Sequence, residues 1–95
     1  NPRLTYAEGV FDFQLFDREG NVLFPDSLEL RIGRPAYEQE DLVVRLEASQ
    51  NGTHRARLKL SPGDWAAQFV GTVGTTPYRR DTRLFVKKDG IGVFQ

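Results

Sequence analysis

The chain has 95 residues, with thirteen basic side chains balancing thirteen acidic ones. A formal net charge of zero leaves no overall field that would attract nucleic acid or an anionic membrane, so any charged recognition is local. The absence of Cys excludes a disulfide framework and thiolate metal sites, and a hydrophobic fraction of 39% argues against disorder. We expect one folded domain over residues 1–95, because this length supports one hydrophobic core.

The first residues are Asn1 and Pro2, and the sequence contains no Met. This beginning indicates a fragment cut from a longer protein. The sequence contains no apolar run near the roughly 20 residues that cross a bilayer, and no signal-peptide pattern. If the parent protein carries an anchor, we expect it to lie outside these residues.

Alternation with a period of two predicts β-strands along the whole chain. The first strand is expected over residues 10–16, followed by a turn over residues 17–21 and a short edge segment over residues 22–24. A second long strand is expected over residues 27–32, where Pro35 and the preceding Gly33 interrupt the pattern.

The remaining strands are predicted over residues 41–48, 53–60, 65–73 and 78–87. Asn51-Gly52 is a strong hairpin signal, so the strands on either side of it should pair antiparallel. The pattern favours an all-β, immunoglobulin-like antiparallel β-sandwich of six to seven short strands, with its core over about residues 10–87 and ragged ends at 1–9 and 88–95. The expected core residues are Phe11, Phe13, Leu30, Leu46, Leu58, Leu60, Trp65, Phe69, Leu84 and Val86.

Few residues suggest catalysis or metal binding. His54 is the only imidazole, and its place beside a hairpin turn predicts an exposed strand residue. The carboxylates of Glu38, Glu40 and Asp41 could hold a hard cation, but their spacing matches no calcium loop and favours a solvated segment. We therefore expect no catalytic residue, no metal site and no cofactor.

Two further motifs allow a structural and a functional interpretation. Asn51-Gly52-Thr53 has the form of a glycosylation sequon, although a tight hairpin requires the same residues. Trp65 could be a stacking platform for a sugar, yet a Trp that begins an amphipathic strand more often fills the core. The turn and the core are the favoured interpretations.

Arginines make the only conspicuous grouping of like charge. They are Arg31 and Arg34 near one turn, and Arg79, Arg80 and Arg83 on the last strand. Arg is enriched at protein interfaces because its planar fork binds carboxylates, so these five residues are candidates for contact with an acidic partner. Alternation places Arg79 and Arg83 on one side of the strand and Arg80 on the other. The alternative is protection of a sheet edge by charge.

An ordered set of short motifs resembles the extracytoplasmic domain of the FixH family. The motifs are Asp17 to Asn21, Arg34-Pro35-Ala36, the segment from Gly52 to Leu58, Pro62-Gly63-Asp64-Trp65, Tyr78-Arg79-Arg80, and Arg83-Leu84-Phe85-Val86. The resemblance covers about residues 10–87. His54 departs from the family pattern, in which an aromatic Tyr is usual.

The resemblance implies a parent protein with one N-terminal membrane helix and this domain on the periplasmic side of the bacterial inner membrane. It also implies membrane protein partners, namely a copper-transporting P-type ATPase and assembly factors of the cbb-type haem-copper oxidase. Because soft-metal sites use Cys or Met, the composition supports an indirect part in copper handling. A non-enzymatic accessory module that acts by protein contact, without nucleic acid or a small-molecule ligand, is the expected function.

Two other classes remain open from sequence. A carbohydrate-binding or adhesion-type β-sandwich would use Trp65, Tyr37 or Tyr78 as an exposed platform. An enzyme would need a nucleophile or acid and base pair, and the sequence contains no recognisable constellation of that kind.

Overall fold

A computed structural model describes residues 2–35 and 37–95, with the backbone alone at residues 37–40 and 50. The strands are β1 Pro2–Ala7, β2 Val10–Phe16, β3 Val22–Leu23, β4 Ser27–Arg34, β5 Tyr37–Arg45, β6 Glu47–Ala48, β7 His54–Arg57, β8 Gly63–Val73, β9 Thr76–Val86 and β10 Gly92–Phe94. Among the residues that the structure describes, no helix is long and apolar enough to cross a membrane.

The strands form two antiparallel sheets that pack face to face, which confirms the predicted all-β sandwich. Sheet A has the order β1-β2-β7-β6, with β3 pairing with the end of β2, and sheet B has the order β10-β9-β8-β4-β5. The described residues hold more strands than the six or seven expected, because both ends of the chain are paired and one long segment contributes to both sheets.

Alternating apolar side chains from the two sheets form the core between them. Nine of the ten expected core residues are buried, and Leu58 is partly buried against them. In sheet A, Phe11, Phe13 and Leu15 all point inward from β2, while the intervening side chains are only partly buried. The period of two therefore predicted the core face of this strand correctly.

Both ends of the chain are ordered strands, so the expectation of ragged ends is wrong. β1 pairs with β2 from Pro2 opposite Leu15 to Ala7 opposite Val10. Glu8 and Gly9 form the tight turn between them, both with positive φ angles of 49° and 83°. This combination matches a two-residue hairpin turn that Asn-Gly usually occupies, so Glu-Gly gives only a weak sequence signal for it. At the other end, β10 pairs with β9.

The fourth long strand is shorter than predicted, because β7 ends at Arg57 instead of Leu60. β7 pairs with β2 only as far as Val10, where β2 begins. Beyond that point the Tyr6 hydroxyl donates to the Leu58 carbonyl at 3.0 Å and accepts from the Leu60 N–H at 2.9 Å. The Leu58 N–H still donates to the Gly9 carbonyl at 2.8 Å, so the Tyr6 side chain supplies the partners of the backbone groups that follow.

The segment from residue 41 to 48 changes sheet. Its first part belongs to β5 and pairs with β4 in sheet B, whereas β6 pairs with β7 in sheet A. The predicted antiparallel hairpin around Asn51-Gly52 is therefore present but limited to two residue pairs, Glu47 with Arg55 and Ala48 with His54. Asn51 lies in a single 3-10 turn with φ of 62°, so the favoured turn interpretation of the sequon motif is confirmed.

The turn after β2 shows how a polar side chain ends a strand. After β2, the Asp17 carboxylate accepts hydrogen bonds from the Asn21 N–H at 2.8 Å and the Glu19 N–H at 2.9 Å. These bonds, of which the one from Asn21 has the largest effect, hold the pKa of Asp17 below its ordinary value.

The longest hairpin joins β8 to β9 in unbroken register from Gly63 opposite Val86 to Val73 opposite Thr76.

Candidate docking surface

The outer face of sheet B carries most of the candidate residues. Side chains that alternate with the buried core positions point to this face, namely Glu29 and Arg31 on β4, Asp41, Val43 and Arg45 on β5, Ala66 and Gln68 on β8, and Arg79, Asp81 and Arg83 on β9. The register between β8 and β9 is continuous, so the strand has no bulge that would move Arg80 to this face. Arg79 and Arg83 share a side, as alternation predicts.

A groove of about 530 Å³ crosses this face. Gly33 and Ala66 lie opposite each other in the register and form its floor, while Arg31 and Arg83 lie on its walls. The floor is low because neither residue has a side chain larger than a methyl group. The Asp41 carboxylate lies where a Cβ on Gly33 would be, so any larger residue at position 33 would displace it. The sequence signal for this groove is a pair of small residues at outward strand positions.

The arginines of this face differ in their partners. Arg31 lies 3.6 Å from the Glu29 carboxylate, and Arg79 lies 3.2 Å from that of Asp81. The Gln68 amide donates to Asp81 at 2.9 Å, and this bond, together with Arg79, lowers the pKa of the Asp81 carboxyl. Within the described residues, Arg83 has no carboxylate at ion-pair distance. Of the two arginines that line the groove, Arg83 is therefore the one whose guanidinium has no ion pair to another described residue.

The Arg34 side chain has a structural role, because its contacts are with Trp65 and the turn before it. Its guanidinium carbon lies 3.8 Å from the centre of the Trp65 ring, and its two terminal nitrogens donate to the carbonyls of Asp64 at 2.9 Å and Pro62 at 3.2 Å. Gly63 has φ of 121°, and a Cβ there would come within 2.8 Å of the Arg34 side chain. A cation over an aromatic ring, with two hydrogen bonds to one turn, fixes this corner of the sandwich.

Trp65 fills the core and does not form an exposed platform. Its side chain is 8% exposed, and its indole N–H donates to the Ser61 carbonyl at 2.9 Å. Arg34 covers the ring from outside. A sugar would therefore have no free face of this ring to stack against.

His54 is buried, so the prediction of an exposed strand residue is wrong. It is 4% exposed and lies opposite Phe13 on one side and Ala48 on the other. It shares the inward side of β7 with Ala56, because the two residues are two positions apart. Its Nδ1 is 3.4 Å from the Gly52 carbonyl oxygen. The His54 side chain is therefore part of the buried interior.

The acidic segment gives no metal site in the described part of the chain. The side chains of Glu38 and Glu40, and that of Tyr37, lie outside the described residues. No group of three or more His, Asp or Glu side chains among those described could hold a metal ion. Asp41 instead lies against Gly33 at the groove.

A second, apolar pocket of about 340 Å³ lies at the end of the sandwich where Leu15 and Leu23 approach Val73, Pro77 and Tyr78. Tyr78 packs edge to face on Phe13 with 5.8 Å between ring centres. Its buried hydroxyl has no hydrogen-bond partner among the described residues. Burial raises the pKa of Tyr78 above its ordinary value of 10.0, and the charge of Arg80 opposes this rise.

Tyr78→Phe is expected to leave the protein as stable as before or more stable by up to about 1 kcal/mol, because the change removes an unpaired hydroxyl. The folded-state pKa of Tyr78 lies above the unfolded one, so its contribution to stability is complete below pH 10.0 and is lost as the pH rises through the folded-state value. The Phe variant should therefore lose less stability in strong alkali. Urea unfolding of both proteins across this pH range measures the difference, and equal alkaline loss would contradict the prediction.

The geometry defines an antiparallel β-sandwich module with a groove on the outer face of sheet B. The chain belongs to the FixH family, because the sequence model of that family matches residues 1–85. The match begins earlier than the expected residue 10 and includes β1. FixH is an accessory-protein family that is not known as enzymatic. Comparison with curated proteins and with solved structures found no match.

Two of the motifs that carry the resemblance meet in space. Arg34 belongs to the Arg-Pro-Ala motif, and it binds the turn formed by Pro62, Gly63 and Asp64 and the ring of Trp65. Ala36, the last residue of the first motif, lies outside the described residues. These two motifs therefore have a structural role at this corner of the sandwich.

Proposed function

We propose that this chain is a non-enzymatic accessory module that supports copper transport and maturation of a cbb-type haem-copper oxidase through protein contacts. Membership of the FixH family over residues 1–85 is the observation that carries this proposal. The proposed partners are membrane proteins, namely a copper-transporting P-type ATPase and oxidase assembly factors. The proposed location is the periplasmic face of the bacterial inner membrane, where a membrane anchor in the parent would hold the domain.

The proposed contact surface is the groove on the outer face of sheet B. Arg31 and Arg83 lie on its walls, and Arg83 lacks a carboxylate partner in the described residues. On the outer face of sheet A, Arg55 is bound by Asp12 through two bonds of 2.7 and 3.1 Å, so Arg55 would have to leave this ion pair to bind a partner. A carboxylate on a partner would find its counter-charge at Arg83 without displacing an existing ion pair.

The structure narrows the set of arginines that we assign to this contact. Arg34 holds the Trp65 corner, and Arg80 points to the opposite side of β9 from Arg79 and Arg83. We therefore place Arg83 and Arg31 at the centre of the contact and Arg79 at its margin, where it is paired with Asp81.

The test is to combine Arg31→Glu with Arg83→Glu in the full-length protein and to measure oxidase activity in cells. We expect a several-fold loss of activity, because the substitutions replace attraction for an acidic partner with repulsion. The matched control is Arg3→Glu with Arg57→Glu, which reverses two exposed arginines on the outer face of sheet A. Thermal melting of both variants separates loss of contact from loss of folding. Normal oxidase activity in a stable Arg31/Arg83 variant would refute this docking site.

A further inference from the structure

β5 is an edge strand of sheet B. Among the strands that the structure describes it pairs with β4 alone, so half of its backbone groups have no strand partner there. The Leu46 N–H donates to the Leu28 carbonyl at 2.9 Å, which places the even-numbered residues 42, 44 and 46 in the hydrogen-bonded positions towards β4. By the period of two, the N–H and C=O groups of Asp41, Val43 and Arg45 point away from the sheet.

Several features that commonly protect an edge are missing from this stretch. Natural edge strands are blunted by charged side chains, especially Lys, and by Pro, bulges or extreme shortness. Residues 41–45 contain neither Lys nor Pro, their two charged residues Asp41 and Arg45 have opposite signs, and Leu42 and Val43 are 47% and 61% exposed. The irregularity between β4 and β5 falls between Ile32 and Arg34, beyond the regular pairing of residues 42–45 with β4. The edge is therefore suited to pairing with another strand.

We propose that β5 pairs antiparallel with β5 of a second copy of this chain, with Val43 on the two-fold axis. In this register Asp41 of each copy lies opposite Arg45 of the other, and Leu42 lies opposite Val44. Asp41, Val43 and Arg45, whose backbone groups point outward, then all lie in hydrogen-bonded pairs. This register therefore uses the backbone groups that β5 leaves unpaired. Side chains opposite each other in a sheet share a face, which brings Val43 against its own copy on the outer face.

Charge complementarity is what favours a second copy over an unrelated strand. Asp41 and Arg45 are both exposed, and neither has an ion-pair or side-chain hydrogen-bond partner among the described residues. Opposite charges directly across a strand pair are stabilising, and like charges are destabilising. With a two-fold axis at Val43, Asp41 of each copy faces Arg45 of the other, so the interface contains this charge pair twice. An isologous interface has this reciprocal arrangement.

The pairing would also enlarge the proposed docking surface. A two-fold axis perpendicular to the sheet leaves the outer faces of both copies on the same side. The two five-stranded sheets would then form one continuous sheet with two grooves. This inference does not depend on the proposed function, because self-association is measured without any partner protein.

The first test is sedimentation of the chain over a concentration series, where we expect a reversible monomer and dimer equilibrium. Val43→Pro removes the outward N–H at the axis and should abolish the dimer. A chain that remains monomeric throughout, or a Val43→Pro variant that dimerises normally, would overturn the proposal. Circular dichroism and thermal melting show whether the Pro variant is folded.

The second test uses the charges and does not depend on Pro. Asp41→Arg alone and Arg45→Glu alone each place like charges opposite each other, and we expect each variant to self-associate at least about tenfold more weakly. Combining both substitutions in one chain restores opposite charges and should restore the dimer. Mixing the two single variants should give a heterodimer, because the arginine introduced at position 41 of one variant then faces the glutamate introduced at position 45 of the other.

Lys87→Glu is the control for charge reversal, since Lys87 is exposed near the opposite edge of sheet B. It should leave the dimer unchanged. Single variants that associate as strongly as the unmodified chain, or a mixture that fails to pair, would overturn the register centred on Val43.

Discussion

Trp65→Ala is expected to lower the free energy of unfolding by about 3–5 kcal/mol. Trp65 is 8% exposed in the core, and truncation to Ala leaves a cavity that the paired strands around it cannot fill. Domains of this size are stable by about 5–15 kcal/mol, so the loss is a large part of the total. Thermal melting should show a fall in Tm of roughly 12–40 °C. An unchanged Tm would contradict the assignment of Trp65 to the core.

Arg34→Ala separates the contribution of the cation from that of the buried ring. We expect a loss of about 1–2 kcal/mol, because the change removes an exposed cation–π contact and two hydrogen bonds to the turn. The variant that combines Arg34→Ala with Trp65→Ala should lose less free energy of unfolding than the sum of the two single losses. The reason is that Arg34 has no ring to cover once Trp65 is absent. Strict additivity would show that the two side chains do not interact.

Phe13→Ala is expected to cost about 3–5 kcal/mol as well. Phe13 is completely buried at the centre of β2, with its ring 5.2 Å from that of Phe69 in the opposite sheet. It therefore contributes both buried area and an aromatic contact between the sheets. Denaturant unfolding followed by the fluorescence of Trp65, the only Trp, measures the loss.

Phe24→Ala is the matched control for this prediction. Phe24 is 65% exposed, so the same truncation should change stability by no more than about 0.5 kcal/mol. Phe13→Leu retains more of the buried volume, so its loss of stability should lie between those of Phe13→Ala and Phe24→Ala. Equal losses for Phe13→Ala and Phe24→Ala would mean that the core has been placed wrongly.

Alternation predicted the core well where a strand is long and one face is apolar. Residues 10–16 show this, because every second side chain is apolar and the structure buries Phe11, Phe13 and Leu15. The same rule would have placed His54 inward with Ala56, but a polar residue beside a turn was assumed to be exposed. At this position the period of two predicts the buried side of the strand better than residue type does.

The ends of strands depended on contacts that a period of two does not contain. β7 stops at Arg57 because β2 begins at Val10, and Tyr6, remote in sequence, then supplies the hydrogen bonds. The change of sheet after Arg45 is likewise set by the sequence-distant pairing of β6 with β7. Such boundaries arise from tertiary pairing and leave little local signal.

Composition indicates the arginines as a group but does not give their arrangement. Their separation into different positions requires the register of β8 and β9 and the contact of Arg34 with Trp65. The groove between Arg31 and Arg83 was missed, because it is created by the small size of Gly33 and Ala66 on neighbouring strands. Sequence alone gives no pairing between positions so far apart.

The unbroken hairpin of β8 and β9 has a consequence for the order of folding. Its contacts begin at a turn of two residues between Val73 and Thr76, so closing them requires little loss of chain entropy. Sheet A, in contrast, needs β2 to meet β7. Their paired residues Val10 and Arg57 are separated by about half of the chain. Contacts between residues so distant in the chain form slowly. We therefore expect the local hairpins to form before β2 meets β7, with the longer β8 and β9 hairpin forming the sheet on which β4 pairs.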